Sequence, residues 1–395
     1  MQPQPNTTAT TDDRPSVPVT LLNFCGYFLR LGALGFGGPI ALAGHMQRDL
    51  VQDRRWVEKQ DYDEGLALAQ LSPGPLAAQL AVYLGWVQAR LLGAALVSLV
   101  FVGPSFLMVL ALAALYLRYG GLPWMQGAFY GVGAAVIAII SRSVHNLLRK
   151  TLSRDRLLWS IALVNAVLTA VTAREAIWLV VLGGVLTLFV RARAAPAVLS
   201  ALPLPLILVS GLKGPASSGA LVKLFLYFAS AGLFVFGSGL AIVPFLHGGV
   251  VDTHHWLDER QFLDAVAVAM ITPGPVVITV AFIGYLVAGP LGATLAALGV
   301  FVPCFAIVML AAPHFRRFAG KGRVKVFVAG VTAGAVGALA GAVVVLARRS
   351  LVDLPTIAIA LGALVILWRT KKVPEPLLIL GASVLGIAIK TWAAR

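Results

Sequence analysis

Apolar positions run along this chain in long unbroken blocks, not at the two-residue or 3.6-residue periods of half-buried strands and amphipathic helices. Nearly charge-free stretches cover 91–118, 126–147, 156–173, 175–190, 290–313, 325–346, 354–370 and 375–392. About 20 apolar residues are enough to cross a bilayer core as a helix. Inside hydrocarbon every backbone amide needs a partner within its own segment, so these blocks predict spanning helices and not isolated strands. The expected fold class is an all-α polytopic membrane protein. Residues 1–18 are polar instead, rich in Thr, Pro and Asp. They lack the charged start, apolar middle and cleavage site of a secretory signal, and predict a disordered tail.

The pattern occurs twice. Phe28, Gly32, Phe36 and Gly37 recur as Phe228, Gly232, Phe236 and Gly237, and Trp56, Glu64 and the SPGP of 72–75 recur as Trp256, Asp264 and the TPGP of 272–275. These pairs stand 200 positions apart; one residue then drops out, so that Gly85, Gly93, Pro104 and Phe106 match Gly284, Gly292, Pro303 and Phe305 at 199. The chain therefore divides into a first repeat at 19–196, an apolar connecting segment and linker at 197–219, and a second repeat at 220–393. Paired repeats of this kind characterise secondary transporters. Five to seven elements are expected in each.

Composition then narrows the class. Residues are 59% hydrophobic and 12% charged, where a soluble domain has roughly 25% charged. A water-soluble fold is excluded, and the lipid bilayer is the medium. The net charge of +15 would point to nucleic acid in a soluble protein. Here Lys and Arg fall mainly between the apolar blocks, as in cytoplasmic loops of membrane proteins, and no nucleic-acid partner is expected. In the first repeat 142–156 carries Arg142, Arg149, Lys150, Arg154 and Arg156, while 118–125 has only Arg118. In the second the bias reverses: 314–325 holds Arg316, Arg317, Lys321, Arg323 and Lys325. Equivalent loops then face opposite sides, which predicts an inverted-topology repeat.

Four interrupted segments are the candidate site: GFGGP at 35–39, FGSG at 236–239, SPGP and TPGP. Proline removes a helical donor and pushes the residue before it out of helical geometry. SPGP and TPGP should each end one half-helix and start another, as a hairpin or a broken helix, with Pro75 or Pro275 in the new first turn. Such a helix start presents free amides and the positive end of its dipole, with Ser72 or Thr272 adding a hydroxyl, and suits an oxyanion better than a cation. Gly37, Gly38, Gly237 and Gly239, with Pro39 and Ser238 beside them, would allow close backbone approach. The competing reading is that these motifs only kink helices or let them pack closely.

Single residues add to this. Arg30 in the first apolar segment could attract a dianion, or snorkel to the interface. Glu64 and Asp264 open the segments leading to the two PGP breaks, where a carboxylate could carry protons; the alternative is a stabilising acid in a first helical turn. Gln79 and Asn23 could donate to an anion or bridge helices. Trp56 and Trp256 read as headgroup anchors. His45, His247, His254, His255 and His314 lie at segment ends and read as solvated side chains. Cys25 and Cys304 show no metal or disulfide spacing and read as small packing residues. No metal site and no cofactor are expected. HExxH, GxSxG and Walker A motifs are absent from the sequence, so a membrane enzyme is disfavoured.

FGGP near the start, SPGP about 35 residues later, and a second copy of both in one chain resemble the chromate ion transporter family in its two-domain, long-chain form. The resemblance spans nearly the whole chain. It implies a bacterial inner-membrane protein with antiparallel halves that expels chromate using the proton motive force and confers chromate resistance. It places the substrate pathway on Gly37, Gly38, Pro39, Ser72, Pro73, Gly74 and Pro75, and less directly on Thr272, Pro273, Gly274 and Pro275. The second repeat departs from GGP with Ser238, Gly239 and Leu240. A transporter of sulfate or another tetrahedral oxyanion and a passive anion channel remain open, and a homodimer is allowed but not demanded.

Overall fold

The computed structural model describes residues 17–36, 38–119, 123–152, 155–172, 177–191, 218–233, 242–315, 322–351, 353–370 and 373–393. Among these residues the chain is all-α, with no strand. The first repeat contributes α1 (Leu21–Leu34), α2 (Gly38–Met46), α3 (Lys59–Leu71), α4 (Leu76–Tyr119), α5 (Pro123–Leu152), α6 (Arg156–Thr172) and α7 (Ile177–Arg191). The second contributes α8 (Ser218–Leu233), α9 (Ile242–His247), α10 (Glu259–Ile271), α11 (Thr279–Ala311), α12 (Gly322–Ser350), α13 (Leu354–Arg369) and α14 (Glu375–Ala393). Each apolar block of the sequence falls on one of these helices. Local signals set their starts: Thr20 caps α1, and Asp258 with Gln261 forms a capping box on α10. The expected tail lies mostly outside the described residues, and most of the linker does too.

Five helices, within α4, α5, α11–His314, α12 and α14, are long and apolar enough to cross a membrane, and α1, α6, α7, α8 and α13 are shorter and apolar. Their outward side chains, such as Leu22, Leu99, Leu163, Leu310, Leu361 and Val384, are exposed. A surface this apolar is stable only against lipid. Several basic residues assigned to loops are helical: Arg142, Arg149 and Lys150 lie in α5, and Arg323 and Lys325 in α12, because α5 continues to Leu152 and α12 begins at Gly322, inside the expected loops 142–156 and 314–325.

α4 is a hairpin. The chain turns at Ala89 and Arg90, whose φ values are −150° and 50°, and 91–119 folds back along 76–88. A Cβ built on Gly85 would lie 2.6 Å from the Gly93 carbonyl oxygen, whereas eight residues of straight α-helix would separate them by about 12 Å. α11 does the same at Ala288 and Gly289 (φ 64°), with Gly284 against Gly292. α3 and 76–88 form a second hairpin about the SPGP turn, Gly65 facing Leu80 and Tyr83. The missing residue of the second repeat is absorbed after TPGP. There a 3₁₀ turn at Val276–Ile278 precedes α11, and three residues at about 2.0 Å rise climb as far as four α-helical residues at about 1.5 Å.

The two repeats are interlocked. α5 of the first packs along α13 and α14 of the second, and α12 of the second packs along α6 and α7 of the first. Small residues let these pairs approach, as at Gly127 against Ile387 and Gly337 against Ala162. The cores are shared in the same reciprocal way. Val109 and Ala113 of α4 complete the core of the second repeat, and Val308, Ala312 and Phe315 complete that of the first. α4 and α11 run antiparallel: the Tyr116 ring near the end of α4 lies 5.4 Å from the Phe282 ring near the start of α11. At the other end Tyr83, Trp86 and Arg90 share a cavity with Ala312 and Pro313.

Candidate functional site

The two PGP turns sit in the middle of this arrangement. α3 ends at Leu71 with Ser72 as its cap, and α4 begins at Leu76. Proline therefore stops one helix and launches the next, as the sequence predicts, except in one detail. Pro75 and Pro275 stand just before the first helical residue, not inside the turn. Gly74 and Gly274 adopt φ of 135° and 95°, a region that side-chain-bearing residues rarely enter. Ser72 and Thr272 are buried, the Thr272 hydroxyl donating to Ala269 O at 3.1 Å. Gln79 is 1% exposed; its Nε2 donates to Pro73 O at 2.5 Å and its Oε1 is buried with no hydrogen-bond partner. The first-turn amides of α4 have no acceptor within the helix.

Each turn lies against the long helical segment of the other repeat, at the residue after its internal Pro104 or Pro303. Gly74 faces Cys304 of α11, and Gly274 faces Ser105 of α4. The Gly274 amide also donates to Gly35 O at 2.8 Å, joining TPGP to the glycine-rich break of the first repeat. Gly38 and Pro39 form the first turn of α2. Gly37, Gly237, Ser238 and Gly239 lie outside the described residues.

Two cavities flank this centre. One of about 360 Å³ is lined by Tyr27, Arg30, Gly35, Phe36, His45, Asp49, Asp53 and Arg54 among others. It runs from charged groups at Asp53 and Arg54 to Gly35, which bonds the TPGP turn. Arg30 is exposed on its wall and is not buried at depth. The Arg54 guanidinium lies 4.6 Å from the Trp56 ring. Asn23 is exposed in the first turn of α1. The second cavity, about 270 Å³, is lined by Asp61, Glu64, Tyr83, Trp86, Val87, Arg90, Ala312 and Pro313. Tyr83 donates to Glu64 Oε2 at 3.2 Å.

Glu64 and Asp264 are not brought together. Glu64 sits beside the turn of the α4 hairpin, whereas Asp264 is 3% exposed and accepts from Tyr116 at 2.8 Å, at the far end of α4. Neither acid is in a first helical turn; that place belongs to Asp61 and Glu259. His247 also departs from expectation. It is buried, with Nδ1 3.3 Å from Asp252 and Nε2 3.0 Å from Glu259, because the wide turn Gly248–Thr253 folds back over the start of α10. Sequence reading missed Arg90, Tyr83 and Tyr116. Arg90 was detectable in principle: it matches Gly289 in the repeat, and a shared position that takes glycine signals positive φ.

An all-helical membrane protein of two interlocked repeats, with the broken helix of each packed on the other, is the kind of architecture found among membrane transporters. The sequence profile of the chromate transporter family matches residues 22–188 and again 222–387. The chain belongs to that family. It is 53% identical to a chromate transport protein of Cupriavidus metallidurans, over 97% of this chain and 96% of that one. It is 55% identical to a probable chromate transport protein of Synechococcus elongatus over 91% and 93%, and 32% identical to a chromate transport protein of Pseudomonas aeruginosa over 94% and 92%. No solved structure matches.

Proposed function

We propose that this protein is a secondary active transporter that exports chromate from the cytoplasm across the bacterial inner membrane, driven by the proton motive force, and so confers chromate resistance. The observation that carries the substrate is the near full-length identity to proteins named for chromate transport. The mechanism rests on the packing of each PGP turn against the long helix of the opposite repeat, α4 and α11 running antiparallel. Antiparallel packing of equivalent helices supports an inverted repeat, which gives a route to alternating access when one repeat rocks against the other.

In this reading Arg30 draws the dianion into the 360 Å³ cavity. The anion then reaches the α4 helix start, where Ser72, Gly74 and Gln79 face it together with the first-turn amides. Gly35, Gly38, Pro39, Thr272 and Gly274 form the rest of the path. Glu64 and Asp264, at opposite ends of α4, carry protons in exchange.

Radioactive chromate uptake into inverted membrane vesicles energised by respiration tests this. Accumulation abolished by a protonophore, and weakened in Ser72→Ala and Arg30→Ala, is expected. Accumulation of sulfate in place of chromate would overturn the substrate, and protonophore-insensitive flux only down its gradient would make the protein a channel.

A further inference from the structure

Ser105 and Cys304 occupy equivalent positions in the two repeats, 199 residues apart, and their surroundings correspond group by group. Ser105 is 0% exposed and donates from Oγ to Gly32 O at 3.1 Å. Cys304 is 3% exposed and donates from Sγ to Gly232 O at 3.8 Å. Gly32 and Gly232 are themselves equivalent, 200 apart. Each side chain thus leans from a long helix onto the first helix of its own repeat.

Its other side faces across the molecule. Ser105 Oγ fills the space where a Cβ of Gly274 would stand, and Cys304 Sγ lies 2.8 Å from the Cβ position of Gly74. Two contacts related in this reciprocal way are what a two-fold relation between the repeats produces. Because both glycines are at positive φ, each PGP turn depends on a neighbour that leaves room for its backbone and also holds it in place. The small hydroxyl and thiol meet both requirements.

We propose that Ser105 and Cys304 are positioning residues that hold the PGP turn of the opposite repeat closed, and that their two contacts part as the repeats rock during chromate transport. The inference rests on the alternating-access reading above. In an interlocked molecule the turns cannot shift while both contacts stay packed, because packed interfaces switch between discrete arrangements and do not stretch. Ser105→Ala and Cys304→Ala remove the atom that packs on the opposite turn, together with its hydrogen bond to the first helix of its own repeat, while keeping the side chain small. Each should lower turnover roughly three- to tenfold with little change in KM, the range expected when one packed contact between coupled sites is lost. The exchange variant Ser105→Cys with Cys304→Ser keeps a small donor at both places and should transport as the parent does.

The deciding experiment uses Cys25→Ser protein, in which Cys304 is the remaining cysteine, in inverted vesicles. Chromate uptake and alkylation of Cys304 by N-ethylmaleimide are followed in the same sample, with mass spectrometry separating alkylated from oxidised thiol. Slow alkylation at rest that rises several-fold while chromate accumulates is expected. Accumulation with an unchanged alkylation rate, or full turnover in both alanine variants, would overturn the proposal. Absence of chromate accumulation in the parent would instead overturn the transport reading on which it rests.

Discussion

The two acidic helices preceding the PGP turns share a backbone and differ in electrostatics. In α3 Glu64 borders an open cavity with Arg90 and takes its tyrosine, Tyr83, from its own repeat. In α10 Asp264 is buried and takes Tyr116 from the other repeat. The same holds a turn earlier: buried His247 is held between half-buried Asp252 and Glu259 where the first repeat has Gln47, Gln52 and Lys59. Duplication thus supplies a symmetric scaffold, and divergence of a few polar positions makes its two faces chemically unequal.

Breaking the shared element should have the largest effect. Gly274→Val forces a branched side chain into positive φ and onto Ser105, combining backbone strain of about 1–3 kcal/mol with a similar overpacking cost. Chromate uptake is expected to vanish, and Gly74→Val should do the same despite its different neighbour. Next comes Asp264→Asn, which keeps the shape and removes the ionisable group. Uptake should become insensitive to protonophore, and unchanged coupling would exclude Asp264 as a proton carrier. Glu64→Gln should do less, because its site is already open to water; equal losses in the two variants would erase the proposed difference between repeats. Tyr116→Phe removes one hydrogen bond and should cost about 1.5–3 kcal/mol if Asp264 is ionised there, and about half that if it is protonated, as read by thermal unfolding in detergent. Smallest for transport is His247→Gln, which gives the second repeat the residue of the first. It should leave uptake near the parent level and lower stability by about 1–3 kcal/mol, the cost of leaving its carboxylate partners without it.

Much of this was legible in the sequence, and the limits have physical causes. Apolar blocks marked the spanning helices because lipid tolerates only long internally bonded segments. SPGP and TPGP marked the broken helices because proline acts locally. The charge asymmetry predicts inversion, but it was counted on residues of which Arg142, Arg149 and Lys150 proved to be helical. Interlocking was not legible. Which helix α14 packs against depends on matching surfaces far apart in sequence, and glycines such as Gly127 and Gly386 announce a close approach without naming the partner. The site residues divide in the same way. Gly74 and Gly274 stand out by their motif, but Tyr116 and Ser105 draw notice only once the fold sets them against Asp264 and Gly274 of the other repeat, and His247 looked solvated because the turn that covers it is irregular.

The exchange of helices between repeats also bears on how the chain is made. When the first repeat has been synthesised, the side of α5 that receives α13 and α14 is still bare, and those helices are the last described elements to emerge. The first repeat therefore waits in the membrane with an unfilled groove until synthesis is nearly finished. A chain interrupted before residue 354 would hold most of its spanning helices and still present a binding surface to any insertase or protease that recognises incomplete membrane bundles.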